Sequence, residues 1–232
     1  MFLKLELLKF KRKISAVVLC LFMLLVVGLQ TFIAMRTPEL ETNVFYIGSL
    51  EWFSGIIFPA LAPVFITLSV YADTEYKGIQ NFVLKGVKPQ KLSQSTWKFF
   101  LVALPLLYVS YVMIPFVFMF FRGGLTSEGI WSVVIYSGLS VISVVSLVNI
   151  SFIIYRITMN DFLPVIIAVA GVMLAFAPFG QDLWLVNPYL YMYYSSAHSG
   201  FNWYHYAVII GLCAVSFAVY AYVSYYKKTK RA

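Results

Sequence analysis

The sequence predicts an all-α polytopic membrane protein: six transmembrane helices, both termini cytoplasmic, an N-terminal interfacial helix, and a cytoplasmic helix between spans two and three. Three observations carry this. The apolar runs are about 20 residues long and do not alternate, which suits helices and not a β-barrel. The chain is 62% hydrophobic and 11% charged with mean hydropathy +0.86, whereas about a quarter of a soluble protein's residues are charged. The cations are also one-sided. Of 17 Lys and Arg, five precede the first span, five lie between spans two and three, four close the C-terminus and Arg156 joins them, leaving only Arg36 and Arg122 on the other face. Glu39, Glu41, Glu51, Glu128 and Asp182 run the opposite way. With 232 residues spent in this manner, no soluble domain of useful size remains.

Taken in order, residues 1–13 form a basic amphipathic start, with Leu5 and Leu8 on one face and Lys9, Lys11, Arg12 and Lys13 before the bilayer. Residues 14–35 are the first span; the apolar run is too long for a signal peptide, and no small-x-small cleavage site follows it. Residues 52–71 are the second, where Pro59 and Pro63 should kink the helix. Residues 99–121 are the third, with Pro105 and Pro115. Residues 130–155 are the fourth, and Arg156 to Asp161 make a tight cytoplasmic turn in which Asp161 is the expected cap for the fifth, 162–179. An external aromatic segment, 180–205, leads to the sixth, 206–226.

The longest polar stretch, 72–98, separates spans two and three on the cytoplasmic side. Its first half has helical periodicity: Tyr76, Ile79, Phe82 and Val83 share a face, while Glu75, Lys77, Gln80 and Lys85 lie elsewhere. Gly86 and Pro89 stop that helix, and Ser93 is the expected N-cap of the next. Such a helix either docks on a cytoplasmic partner or lies on anionic headgroups.

Several chemistries find no residues to carry them. The six spans place no charge at mid-depth, which disfavours a proton- or sodium-coupled carrier, and no short re-entrant filter repeats as in a selective channel. His198 and His205 have no acidic or Cys partner at metal spacing, so neither a catalytic nor a metal site is expected. Cys20 and Cys213 fall at depths differing by about 10 Å, too far apart for a disulfide. A Walker A loop needs a Gly-Lys pair, and the chain contains none. The positive charge sits at span ends, as topology demands, and does not point to nucleic acid.

Four stretches together resemble the permease subunits of ABC-2 type exporters, in particular the small bacterial permeases of lantibiotic immunity and of antimicrobial or toxic peptide export. Leu5 to Arg12 resembles that family's interfacial elbow helix. Tyr71 to Gly78 resembles its Glu-x-x-Gly entry into the coupling helix, although Ile79 and Gln80 stand where relatives often carry Thr. Val87 to Lys98 resembles the turn and lysine that open span three. Trp184, Asn187, Pro188 and Tyr189 resemble the Asn-Pro element opening the external segment between spans five and six. The resemblance implies two permease subunits, identical or related, in a bacterial cytoplasmic membrane. Glu75, Tyr76, Lys77, Gly78, Ile79, Phe82 and Val83 would then couple to a separate cytoplasmic ATPase, which holds the ATP and magnesium, so this chain needs no cofactor and is not itself an enzyme. The cargo would be a hydrophobic or cationic amphipathic peptide. A permease for lipid, polysaccharide or drug, and a membrane docking or sensor subunit without transport, stay open.

Within the spans, Ser137, Ser140, Ser143, Ser146 and Asn149 recur every third position, a row that spirals around the fourth span. Tight helix packing is the expected use and pathway lining the alternative. Gly171 with Ala175 is a small-xxx-small pair suited to close approach in the fifth span. The tyrosines of 180–205 read mainly as an interfacial belt, with short re-entrant helices at the outer mouth as the other use.

Overall fold

The computed structural model describes residues 53–75, 89–121, 127–174, 187–192 and 203–229, together with positions 21, 24, 25, 28 and 32. Every regular element among them is helical. A π-helical turn, Phe53–Ile57, leads into α1, Phe58–Glu75. Pro59 and Pro63 offer no N–H to the carbonyls one turn earlier, and the wider π-type turn lies just ahead of them. The chain nonetheless stays helical through Pro63.

Helix α2, Pro89–Phe121, has 33 residues, and α3, Ser127–Thr158, has 32. At 1.5 Å per residue each is roughly 50 Å long, more than the ~30 Å hydrocarbon core. α2 therefore begins at Pro89, in the position where a missing N–H costs nothing, and not at Phe99. Ser93 is accordingly a turn inside the helix instead of its N-cap. Helix α4, Leu163–Met173, is short, and α5, Trp203–Thr229, is long again. Between them a 3₁₀ turn, Pro188–Leu190, packs against α1, α3 and α4. Three helices are long and apolar enough to cross a membrane, at Lys91–Ile114, Val134–Thr158 and Tyr206–Tyr225, while Gly55–Tyr71 and Leu163–Met173 are apolar but shorter.

α3 is the central element, packing against α1, α2, α4 and α5. Val144, Leu147, Val148 and Phe152 are fully enclosed and meet Phe65 and Ile66 of α1 and Phe100 and Leu104 of α2 in one apolar core. Ser143, Ser146 and Ser151 bury their hydroxyls by donating to the carbonyls of Leu139, Ile142 and Leu147 on the same helix. The serines therefore offer neighbouring helices a small, nearly apolar surface, the packing use expected of the row. Outward faces are apolar too: Leu106, Ile166 and Val215 are among many large side chains left exposed. In water that surface would aggregate; in a bilayer it is the lipid-facing surface.

One end of the bundle gathers the termini of all five helices. Thr67 of α1 donates to the Asp161 carbonyl at 2.8 Å, and Tyr71 lies 5.8 Å from Phe162. The start of α2 and the ends of α3 and α5 meet through Ser93, Arg156 and Ser224. Lys91, Lys98, Lys227 and Lys228 occupy this same stretch of α2 and α5, so it is called the basic end below. Met159 leaves α3 with φ 56°, and its N–H donates to Tyr155 O. Asp161 does not cap α4, whose N-cap position falls at Phe162 with no side-chain bond; Asn160 Oδ1 instead turns the chain into the helix by accepting from the N–H groups of Phe162 and Leu163. An amide one residue earlier reaches both donors after the left-handed step at Met159.

Candidate functional site

The two expected functional stretches differ in what the structure describes. Glu75 is the last residue of α1. Tyr76, Lys77, Gly78, Ile79, Phe82 and Val83 lie outside the described residues, as does Trp184. Asn187, Pro188 and Tyr189 are described and form a compact device. Asn187 is extended at φ −106°, ψ 97° and stands as N-cap of the 3₁₀ turn, its Oδ1 accepting from Tyr189 N at 3.2 Å. Pro188 takes the first position of that turn, where its fixed φ is already correct. The Asn187 amide then donates to Gly171 O at 2.7 Å, which anchors the turn to α4.

Gly171 makes that approach possible. A Cβ there would sit 2.6 Å from Cδ2 of Tyr189 and 3.2 Å from Oδ1 of Asn187. Close packing at Gly171 was expected, but its partner is the turn and not another helix. The phenol ring of Tyr189 joins the main core, while Leu190 and Tyr191 pack with Ile209 of α5. Gly171 is about 12 Å along α4 from its start at Leu163, so the turn reaches well into the bundle. Tyr189 and Tyr191 are both buried within the bundle.

A second polar arrangement joins α2, α3 and α5. Trp97 Nε1 donates to Asn149 Oδ1 at 2.9 Å, and Asn149 Nδ2 donates to Ser216 Oγ at 2.9 Å. The Ser216 hydroxyl donates to the Cys213 carbonyl at 2.7 Å. Two turns nearer the basic end, Arg156 donates from one terminal nitrogen to Ser224 Oγ at 2.7 Å and from the other to Ser93 Oγ at 3.0 Å. Tyr220 lies between these two links, stacked on Trp97 at 4.3 Å and facing the Arg156 guanidinium at 5.1 Å. Asn149 is completely buried and Arg156 is 9% exposed.

Arg156 corrects the expectation that it opens the tight turn running to Asp161. α3 runs on to Thr158, so Arg156 belongs to its last turn and folds inward between α2 and α5. Guanidinium is planar and weakly hydrated for a cation, which suits a site lined by hydroxyls and an aromatic face. Among the described residues no three His, Cys, Asp or Glu side chains gather as a metal site would need. Cys213 is a half-buried thiol, and Cys20 lies outside the described residues.

Sequence reasoning passed over Trp97, Ser216, Tyr220 and Ser224. Their signal was spacing: Ser216, Tyr220 and Ser224 are four apart on α5, Ser93 and Trp97 four apart on α2, and Asn149 and Arg156 seven apart on α3. Each set lines one helix face. No protein-family profile, no curated protein and no solved structure matches the chain.

Proposed function

We propose that this chain is the membrane-embedded permease subunit of an ATP-driven exporter, paired with a second permease and served by a separate cytoplasmic ATPase. The observation that carries the reading is the placement of the one long polar stretch. It leaves α1 at the basic end and feeds into α2, which within about two turns is bonded to α3 through Ser93 and Trp97 and stacked on Tyr220 of α5 through Trp97. A push delivered to that stretch acts on a helix tied to the rest of the bundle. By the positive-inside rule the basic end faces the cytoplasm, where an ATPase is available. The apolar outward faces and the absence of a Gly-Lys pair agree with a conduit whose chemistry resides in another subunit.

The cargo that fits this reading is a cationic amphipathic peptide taken from the outer leaflet, where the expected external loops carry five acids against two bases. Tyr76, Ile79, Phe82 and Val83 would seat in a groove on the ATPase, with Glu75 and Lys77 at its rim. The direct test is recruitment of a cytoplasmic ABC ATPase subunit co-expressed with this chain. Phe82→Ala removes a buried anchor worth about 2 kcal/mol, or roughly thirtyfold in affinity, and should lower recruitment and peptide export together. Lys91→Ala should leave both intact. Normal recruitment by Phe82→Ala overturns the proposal.

A further inference from the structure

We propose that Arg156 is the pin that makes the basic ends of α2, α3 and α5 move as one body, so that displacement of α2 reaches α5 through a single guanidinium. The transport consequence rests on the permease reading; the pin itself does not.

Three facts converge on this side chain. It leaves α3 and bonds a hydroxyl on each flanking helix, Ser93 on α2 and Ser224 on α5, from two different nitrogens of a rigid plane. Tyr220 lies 5.1 Å below the same plane and is itself clasped by Trp97 of α2 and by Phe152 of α3, 6.4 Å away. A second link, Trp97 to Asn149 to Ser216, joins the same three helices about 10 Å deeper. Two links at different depths fix both separation and tilt, whereas one would act as a pivot. Helices in lipid gain no hydrophobic attraction for each other, so such polar links decide which of them travel together.

The opposite end of this group is held differently. There Tyr111 of α2 stacks on Phe53 of the π-helical turn at 3.4 Å, and Tyr108 lies edge-on to Phe58 of α1 at 5.3 Å. A guanidinium held by two hydroxyls cannot slide without breaking a bond, and with the deeper link through Asn149 it makes the α2–α3–α5 group the rigid body.

The test uses the full-length chain carrying Cys20→Ala and Cys213→Ala, with spin labels at Gln94→Cys and Tyr225→Cys, two exposed positions on α2 and α5. In lipid nanodiscs the permease alone should give one narrow distance distribution. Arg156→Met should broaden it. Arg156→Lys should broaden it as well, because an ammonium cannot bridge two hydroxyls from a fixed plane. Ser93→Ala combined with Ser224→Ala keeps the cation, removes both acceptors and guards against a variant that simply misfolds; it too should broaden the distribution. With the ATPase present, the unmodified distribution should be the same in ATP and in ADP, and Arg156→Lys should export about two- to thirtyfold less per ATP hydrolysed. A narrow distribution in all three variants overturns the pin, and so does a distance that changes with nucleotide while Arg156 is intact. The permease-alone arm needs no partner. Failure to recruit an ATPase therefore defeats the permease reading and leaves the pin standing or falling on its own distances.

Discussion

The two halves of the bundle are held together by opposite means. Where α2, α3 and α5 meet, polar atoms form the contact: an indole, an amide, three hydroxyls and a guanidinium joined by bonds of 2.7 to 3.0 Å. Where α4 receives the 187–190 turn, the contact depends on shape, a glycine bare enough for a phenol ring to lie against the helix. The first kind tolerates changes of volume but not the loss of a donor. The second has one such donor, the Asn187 amide, and beside it no room for an added methyl group.

That contrast can be broken most forcefully at Gly171. Gly171→Val places branched carbon where the buried ring of Tyr189 already stands. A loss of about 3 kcal/mol is expected, at the upper end for overpacking, read as a lower melting temperature by fluorescence-detected size exclusion. Gly211→Val in α5, whose Cβ would meet nothing within 4 Å, is the matched control and should change little. Equal effects at the two glycines would show that shape does not govern the α4 contact.

Asn149→Leu sharpens the other side. It keeps the volume and strands Trp97 Nε1, with an expected loss of about 1–2 kcal/mol. Combined with Ser216→Ala in a double-mutant cycle, it should reveal a coupling of about 0.6 kcal/mol, typical of hydrogen bonds between membrane helices. Zero coupling would mean the Asn149–Ser216 bond does not hold α3 to α5. Thr67→Val loses one bond to the Asp161 carbonyl and should cost about 0.5–1 kcal/mol in the same assay.

The smallest effect is expected at Tyr189→Phe. The Tyr189 hydroxyl is buried with no hydrogen-bond partner among the described residues, so its removal should leave stability unchanged or raise it by up to about 1 kcal/mol. A clear loss would place an acceptor for that hydroxyl elsewhere in the chain.

The helical class was legible because hydropathy and the sidedness of Lys and Arg are summed over many residues. Gly171 and Asn187–Pro188 were legible because each has a local reason, a missing Cβ or a fixed φ. The helix ends were less so. Pro89 and Ser93 both look like stops, yet proline is at home in a first turn, and Ser93 serves as an acceptor for Arg156 far along the chain. Arg156 was misjudged for a similar reason: a cation beside a polar run reads as part of the turn, and only the approach of α2 and α5 supplies it with hydroxyls. The links through Trp97, Asn149 and Ser216 join positions more than fifty residues apart, and no local pattern pairs them.

The 187–190 turn also fixes an order of events during synthesis. Its seat is built by α1, α3 and α4, all of which precede it in the chain. The elements that form the groove thus emerge from the ribosome before Asn187, and α5 emerges after it. A nascent chain halted just short of Asn187 would hold a backbone carbonyl at Gly171 facing a vacancy in a lipid environment. Arrival of the asparagine amide closes that vacancy, and Leu190 and Tyr191 beside it form the seat on which Ile209 of the following helix rests. Chain order thus presents the turn to α4 before α5 is there to cover it.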